Sequence, residues 1–278
     1  MLIKETHMKN ITIQERLSLL SQEGHIVPDI QILKTQEQIE EIKKSAALNT
    51  AVLDYVEKHI RAGISTADID QLVYDYTTAH GGIPAPLGYE GFPCSVCTSL
   101  NNEICHGIPD KNRILQEGDI INVDVSTILN RYYSDASRMF AIGNISDRAK
   151  KLLTVTKECV ELGLAAARPW GHLGDIADAI QTHALANGYT VVEDIGGHGI
   201  GLEFHEEPFV SYVAPKGTEM VLVPGMIFTI EPMINEGGPD FYIDEENGWT
   251  IRTADSGLSA QIEYMVLVTE TDIEVLTK

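Results

Sequence analysis

A ten-residue pattern occurs twice in this chain without a gap, and each copy ends on a carboxylate: LQEGDIINVD from Leu115 to Asp124, and LVPGMIFTIE from Leu222 to Glu231. Both copies are a turn glycine followed by a β-branched and aromatic run, the pattern of a buried strand. Side chains alternate faces along a strand, so Asn122 shares a face with Asp124, and Thr229 with Glu231. An acid at the same place in two buried strands is costly unless a cation or a donor neutralises it. The repeat extends upstream, since His106-Gly-Ile-Pro109 precedes the first copy and His205-Glu-Glu-Pro208 the second. Chance likeness of two amphipathic strands explains the apolar positions but not the matched acids and histidines. The pattern therefore predicts two related halves that each bring a histidine and an acid to one shared centre.

At 278 residues and 44% hydrophobic, the chain can bury a large core. A net charge of −21 argues against nucleic acid or an anionic membrane as a direct ligand. Four cysteines in a chain of this length do not make a disulfide framework. The absence of a bilayer-length apolar run, and of an apolar core in the charged first residues, places the expected compartment in the cytoplasm.

Residues 1–35 read as an amino-terminal extension, with a short amphipathic helix over 11–20 broken at Gly24. From Thr35 the spacing of Ile39, Ile42, Ala46, Leu53 and Val56 predicts a helix to about Arg61. Ser65 with Asp68 forms a capping box for a second helix ending at Gly81-Gly82. A hairpin is expected from Asp119 to about Ile142. The second half repeats the order, with Ser146 capping a helix to about Arg168, another over 174–187, and strands and loops to 278. This order implies an α+β fold of two pseudo-symmetric halves, with helices packed on one face of an antiparallel sheet. No linker composition separates the halves, so residues 36–278 are read as one domain.

Acids and a histidine recur in polar strand positions at Asp124, Asp135, His198, Glu231 and Glu263. Asp135 follows Asp124 by 11 residues on the return strand of the hairpin, a separation that can place both carboxylates on one face. His198 lies between glycines at 196, 197, 199 and 201, where the backbone can approach another group closely. Four carboxylates cannot ionise together unaided. Two divalent cations would cancel their formal charge and sit about 3.5–4 Å apart, the spacing used to activate water for hydrolysis. Oxygen-rich ligation with one imidazole suits Mn, Fe or Co better than a structural zinc.

Six ordered segments carry a resemblance to a known family: NEICHGIPD from Asn102, NVDV from Asn122, GHGIG from Gly197, FHEEP from Phe204, FTIEPM from Phe228 and AQIE from Ala260. Together they resemble type I methionine aminopeptidase from about residue 36 to the carboxy terminus. The resemblance implies the pita-bread fold, a dinuclear metal centre of Co, Mn, Fe or Zn, and removal of the initiator methionine from new chains and peptides with a small second residue. It implies Asp124 on one metal, His198 and Glu231 on the other, and Asp135 and Glu263 bridging both. It also implies His106 at the scissile amide nitrogen, His205 at the carbonyl oxygen and Glu231 as proton carrier. A methionine pocket of Tyr89, Phe92, Cys97, Phe204 and Trp249 is implied as well. Type II members carry a long insertion between the last two glutamates, whereas here Glu263 follows Glu231 at a distance of only 32 positions.

Other signals weigh little. Cys94-Ser-Val-Cys97 is a lone C-x-x-C without a second pair. His205-Glu206 begins like H-E-x-x-H, but residue 209 is Phe. His7, His25, His59, His80, His172 and His183 match no motif and are expected at the surface or at helix ends. Two competing functions are an X-Pro aminopeptidase or dipeptidase, which generally has a folded amino-terminal domain that 35 residues cannot supply, and a non-catalytic binding protein of the same fold, which would lose ligands. Expected partners are peptide or nascent-chain amino termini, while residues 1–35 are expected either to pack across the domain surface or to offer a contact to a partner such as the ribosome.

Overall fold

Among the described residues, four of the five α-helices begin on a hydroxyl residue whose side chain accepts a hydrogen bond from the backbone N–H three residues on, which satisfies a donor the helix itself cannot pair. The computed structural model describes residues 11–278, so His7 lies outside the described residues. The helices are α1 (Ile13–Gln22), capped by Thr12, α2 (Gln36–Glu57), capped by Thr35, α3 (Thr66–Ala79), capped by Ser65, α4 (Asp147–Ala166), capped by Ser146, and α5 (Leu173–Ala186), which starts at His172. Helix α2 buries Ile42, Leu53 and Val56 completely, as their spacing requires. It ends at Glu57 rather than near Arg61, because the N–H groups of His59 and Ile60 both turn back onto the Val56 carbonyl.

The strands are β1 (Ile83–Pro84), β2 (Cys97–Leu100), β3 (Glu103–Cys105), β4 (Ile120–Leu129), β5 (Tyr132–Ala141), β6 (Thr190–Val191), β7 (Gly197–Gly199), β8 (Glu206–Val210), β9 (Ile227–Ile230), β10 (Met233–Asn235), β11 (Phe241–Ile243), β12 (Ile251–Thr253), β13 (Ser259–Gln261), β14 (Tyr264–Val268) and β15 (Ile273–Val275). Every ladder between them is antiparallel. Helices α2 and α3 cover the β1-β4-β2 sheet with β5, and their shared core includes Val52, Val73, Val123 and Ala136. Helices α4 and α5 share a second core with β9 and β14, built on Leu152, Ile180, Phe228 and Val266.

The internal repeat is visible in the backbone. Gly118 leads into β4 with φ +99° and Gly225 into β9 with φ +96°, a left-handed conformation that glycine adopts without steric penalty. Each glycine N–H then bonds the far end of the partner strand's neighbourhood, Gly118 to the Ile142 carbonyl at 2.8 Å and Gly225 to the Val268 carbonyl at 2.9 Å.

Residues 13–34 run across the second half. Leu17 is buried there, the Arg16 guanidinium sits 3.6 Å over the Trp170 ring, and His25 and His172 share a hydrogen bond of 3.0 Å. Ile26 forms a parallel bridge with Met220.

Candidate metal centre and substrate cleft

The strand registers assemble the acids. In the β4–β5 hairpin Asp124 faces Ser137 and Ser126 faces Asp135, so the two aspartates are diagonal neighbours on one face. Ser137 in turn forms a bridge to Glu263. Beside it, Tyr264 pairs with Ile230, and one further step along that register sets Glu263 opposite Glu231. A continuous row thus crosses from the first half to the second: Cys97, Asp124, Ser137, Glu263, Glu231. His198 enters from β7, whose Gly199 pairs with Phe228 of β9.

The histidine is oriented by its own backbone. His198 Nδ1 lies 2.9 Å from the Gly199 carbonyl and donates to it, leaving the Nε2 lone pair free. That Nε2 is 3.7 Å from Glu231 Oε1 and 4.0 Å from Asp135 Oδ2. Ligand atoms of Asp135, His198 and Glu263 all lie within 4.8 Å of one another.

Electrostatics keeps this cluster from ionising fully without a cation. Burial pushes the carboxyls of Asp124, Asp135, Glu231 and Glu263 upward, and repulsion from neighbouring carboxylates raises the last three further. Among the described residues, three side-chain donors offset this: Ser126 Oγ to Asp135 at 2.9 Å, Thr229 Oγ1 to Glu231 at 2.6 Å, and Gln261 Nε2 to Glu231 at 2.9 Å. Asp124 Oδ1 is buried with no hydrogen-bond partner. An orphaned buried carboxylate oxygen beside three other acids and an available imidazole nitrogen is a donor set that fits divalent cations.

Two further histidines face the same cleft, which encloses about 750 Å³. His106 adopts φ +56°, unusual for a residue with a side chain. The following Gly107 packs so tightly on β2 that a Cβ there would lie 2.0 Å from the Thr98 carbonyl oxygen. Burial, with help from nearby His205, lowers the pKa of His106 to about 4, so its ring is neutral at pH 7. The His205 ring stacks on Phe204 with centroids 4.4 Å apart, and its Nδ1 is 3.0 Å from the Tyr89 hydroxyl. His205 is more exposed than His106, and partial desolvation by the surrounding cleft lowers its pKa against the pull of Glu90.

The pocket residues named from the sequence line this cleft together with the acids and histidines. Phe92 meets Trp249 edge-on at 5.2 Å, and Tyr89 meets Phe204 at 4.8 Å and 64°. Cys97 is buried against Asp124 in the strand register, and burial raises its thiol pKa well above the ordinary value. Cys94 and Cys97 are both free thiols.

Two supporting groups, Tyr212 and Gln261, escaped the sequence. Tyr212 accepts from the Glu231 N–H at 2.7 Å and donates to the Thr229 carbonyl at 3.3 Å, while the His198 N–H donates to Thr229 Oγ1 at 3.0 Å. Nothing in the spacing of Tyr212 announces this. Gln261 was discoverable, because it precedes Glu263 by two residues and so shares its face.

Residues 40–270 match the model of metallopeptidase family M24. The chain is 47% identical over 245 residues to methionine aminopeptidase A of Synechocystis sp., covering 88% of this chain and 96% of that protein. The crystal structure of methionine aminopeptidase from Rickettsia prowazekii superposes with a TM-score of 0.86 at 40% identity, covering 88% of this chain and 99% of that one. The prolidase from Pyrococcus horikoshii shares the fold with a TM-score of 0.70 at 21% identity, but this chain spans only 64% of its length.

Proposed function

This chain belongs to metallopeptidase family M24, and from that premise we propose that it removes the amino-terminal methionine of nascent chains and peptides whose second residue is small. The fold is the pita-bread fold, and the enzyme is a metal-dependent hydrolase. The observation that carries the reading is the shared row of Asp124, Glu263 and Glu231 with His198 above it, opening into an aromatic cleft. The proposed complement is two divalent ions, Co, Mn, Fe or Zn. Asp124 would hold one, His198 and Glu231 the other, and Asp135 and Glu263 both. Such ions supply Lewis acidity and an activated water.

The chain's own groups do the rest. Tyr89, Phe92, Cys97, Phe204 and Trp249 offer an apolar wall to an unbranched thioether side chain. Tyr89 fixes His205 at Nδ1, which leaves Nε2 as the donor for the carbonyl oxygen where negative charge develops. His106, held neutral, can hydrogen-bond the scissile amide nitrogen. Glu231 is the proton carrier to the leaving amine, its two oxygens pinned by Thr229 and Gln261.

An X-Pro peptidase is the alternative from the same fold, but this chain covers only 64% of the prolidase neighbour's length. We place the enzyme in the cytoplasm, where nascent chains arise, and no described helix is long and apolar enough to cross a membrane. Residues 36–278 are the proposed catalytic domain, and residues 1–35 the extension that would meet a ribosome. Rates on Met-Ala-Ser, Met-Lys-Ser and an X-Pro peptide test the specificity. The first should be cleaved and the other two largely spared, and equal rates on the first two would contradict the crowding of the second side chain.

A further inference from the structure

One cation is almost wholly withdrawn from solvent. The Lys34 side chain is 1% exposed, and its ammonium is paired with Glu206. Lys34 belongs to the amino-terminal extension and lies outside the segment that matches the family model. A lysine is rarely buried unless a partner compensates the lost hydration.

The pair is wired into the loop beside the centre. Lys34 Nζ also donates to the Ile32 carbonyl at 3.1 Å, and the Lys34 backbone N–H donates to the Gly225 carbonyl at 2.8 Å, directly before β9. The other Glu206 oxygen accepts the backbone N–H groups of Leu202 at 2.6 Å and Glu203 at 2.9 Å. Glu206 thus closes the turn 202–206 on itself, and Lys34 holds that carboxylate from below. Gly201, where the turn begins, leaves room for the cation, since a Cβ there would lie 3.2 Å from Lys34 Cε. His205 sits on this turn, immediately before Glu206, with its ring 4.3 Å from that of His198.

We propose that Lys34 is a positioning residue for the hydrolysis: its buried ion pair with Glu206 fixes the 202–206 turn so that His205 faces the substrate carbonyl. Removing the ammonium leaves the mostly enclosed Glu206 carboxylate with two backbone donors but no counter-cation, and the turn relaxes toward water. His205 then moves, while the proposed metal ligands, all of which lie outside the 202–206 turn, keep their places. The inference rests on the aminopeptidase reading for its consequence, but not for its geometry.

The test is a double-mutant cycle on the full chain together with amide hydrogen exchange. Lys34→Met should lower kcat by roughly 10- to 100-fold on a Met-Ala peptide, the scale of an ångström-sized misplacement, with little change in KM and with metal content intact. In a His205→Ala background the same substitution should cost less than about 2-fold, because the group through which it acts is gone. The Leu202 and Glu203 amides should exchange faster in Lys34→Met, an outcome independent of activity. Should Lys34→Met fail to fold, Lys34→Gln, which keeps one donor toward Glu206, enters the same measurements. Equal losses in both backgrounds, or unchanged exchange at 202 and 203, would overturn the positioning role. An unmodified protein inactive on Met-Ala peptides would instead count against the aminopeptidase reading and leave the exchange experiment decisive.

Discussion

His106 and His198 are both neutral imidazoles at pH 7, yet the surrounding atoms assign them different work. Burial lowers each pKa to about 4, because an imidazolium loses its hydration there. His198 spends Nδ1 on its own strand and turns Nε2 to the acids, whereas His106 is carried on a left-handed residue at the cleft wall. His106→Ala should therefore reduce kcat by roughly 10²–10⁴ while metal stoichiometry is unchanged. His198→Ala should instead weaken metal retention, and loss of metal in both variants alike would erase the division. The same burial predicts a pH effect on stability. Folded His106 titrates near 4 and the unfolded ring near 6.5, so between these values the unfolded chain binds more protons and stability rises with pH. Chelator-treated protein should lose about 1–2 kcal/mol through this residue between pH 7 and pH 5. His106→Asn should be spared that part of the loss in urea titrations at the two pH values. An identical pH dependence in the variant would show that the ring is not desolvated.

Strand β7 shows how a secondary element enforces the site. At Gly197 a Cβ would stand 2.3 Å from the Tyr212 hydroxyl and 2.6 Å from the Thr229 carbonyl oxygen. Gly197→Ala should destabilise the protein by about 1–3 kcal/mol, the usual cost of overpacking, and should displace the hydroxyls that hold Glu231. Urea unfolding and metal retention measured together would check this, and an unchanged midpoint would mean that β7 yields freely. The elements were largely readable beforehand because their signals are local. Thr35, Ser65 and Ser146 start helices by a hydroxyl at the cap, and the 11-residue interval from Asp124 to Asp135 follows from a period of two on a tight hairpin. What stayed hidden is long-range. Tyr212 reaches Glu231 across 19 residues and Lys34 reaches Glu206 across 172, and no periodicity encodes such meetings. The end of α2 at Glu57 was missed for a smaller reason, since apolar spacing continues past the point where the backbone turns.

At the scale of the whole molecule, the duplicated halves explain why the centre lies where it does. Each half ends its repeat on an acid, and the Ser137–Glu263 bridge joins the two halves at that point, so neither half alone assembles the row. The cluster needs compensation from outside the chain, because among the described residues no lysine or arginine pairs with it and a few neutral donors are all that face it. The account therefore stands on divalent cations being part of the working protein. Its most direct test is mass spectrometry of a Met-Ala-Ser peptide incubated with the protein before chelation, after chelation, and after Mn, Fe or Co is restored. The account predicts loss of one methionine in the first and third conditions and an intact peptide in the second. Full cleavage by protein shown to be free of metal would contradict it.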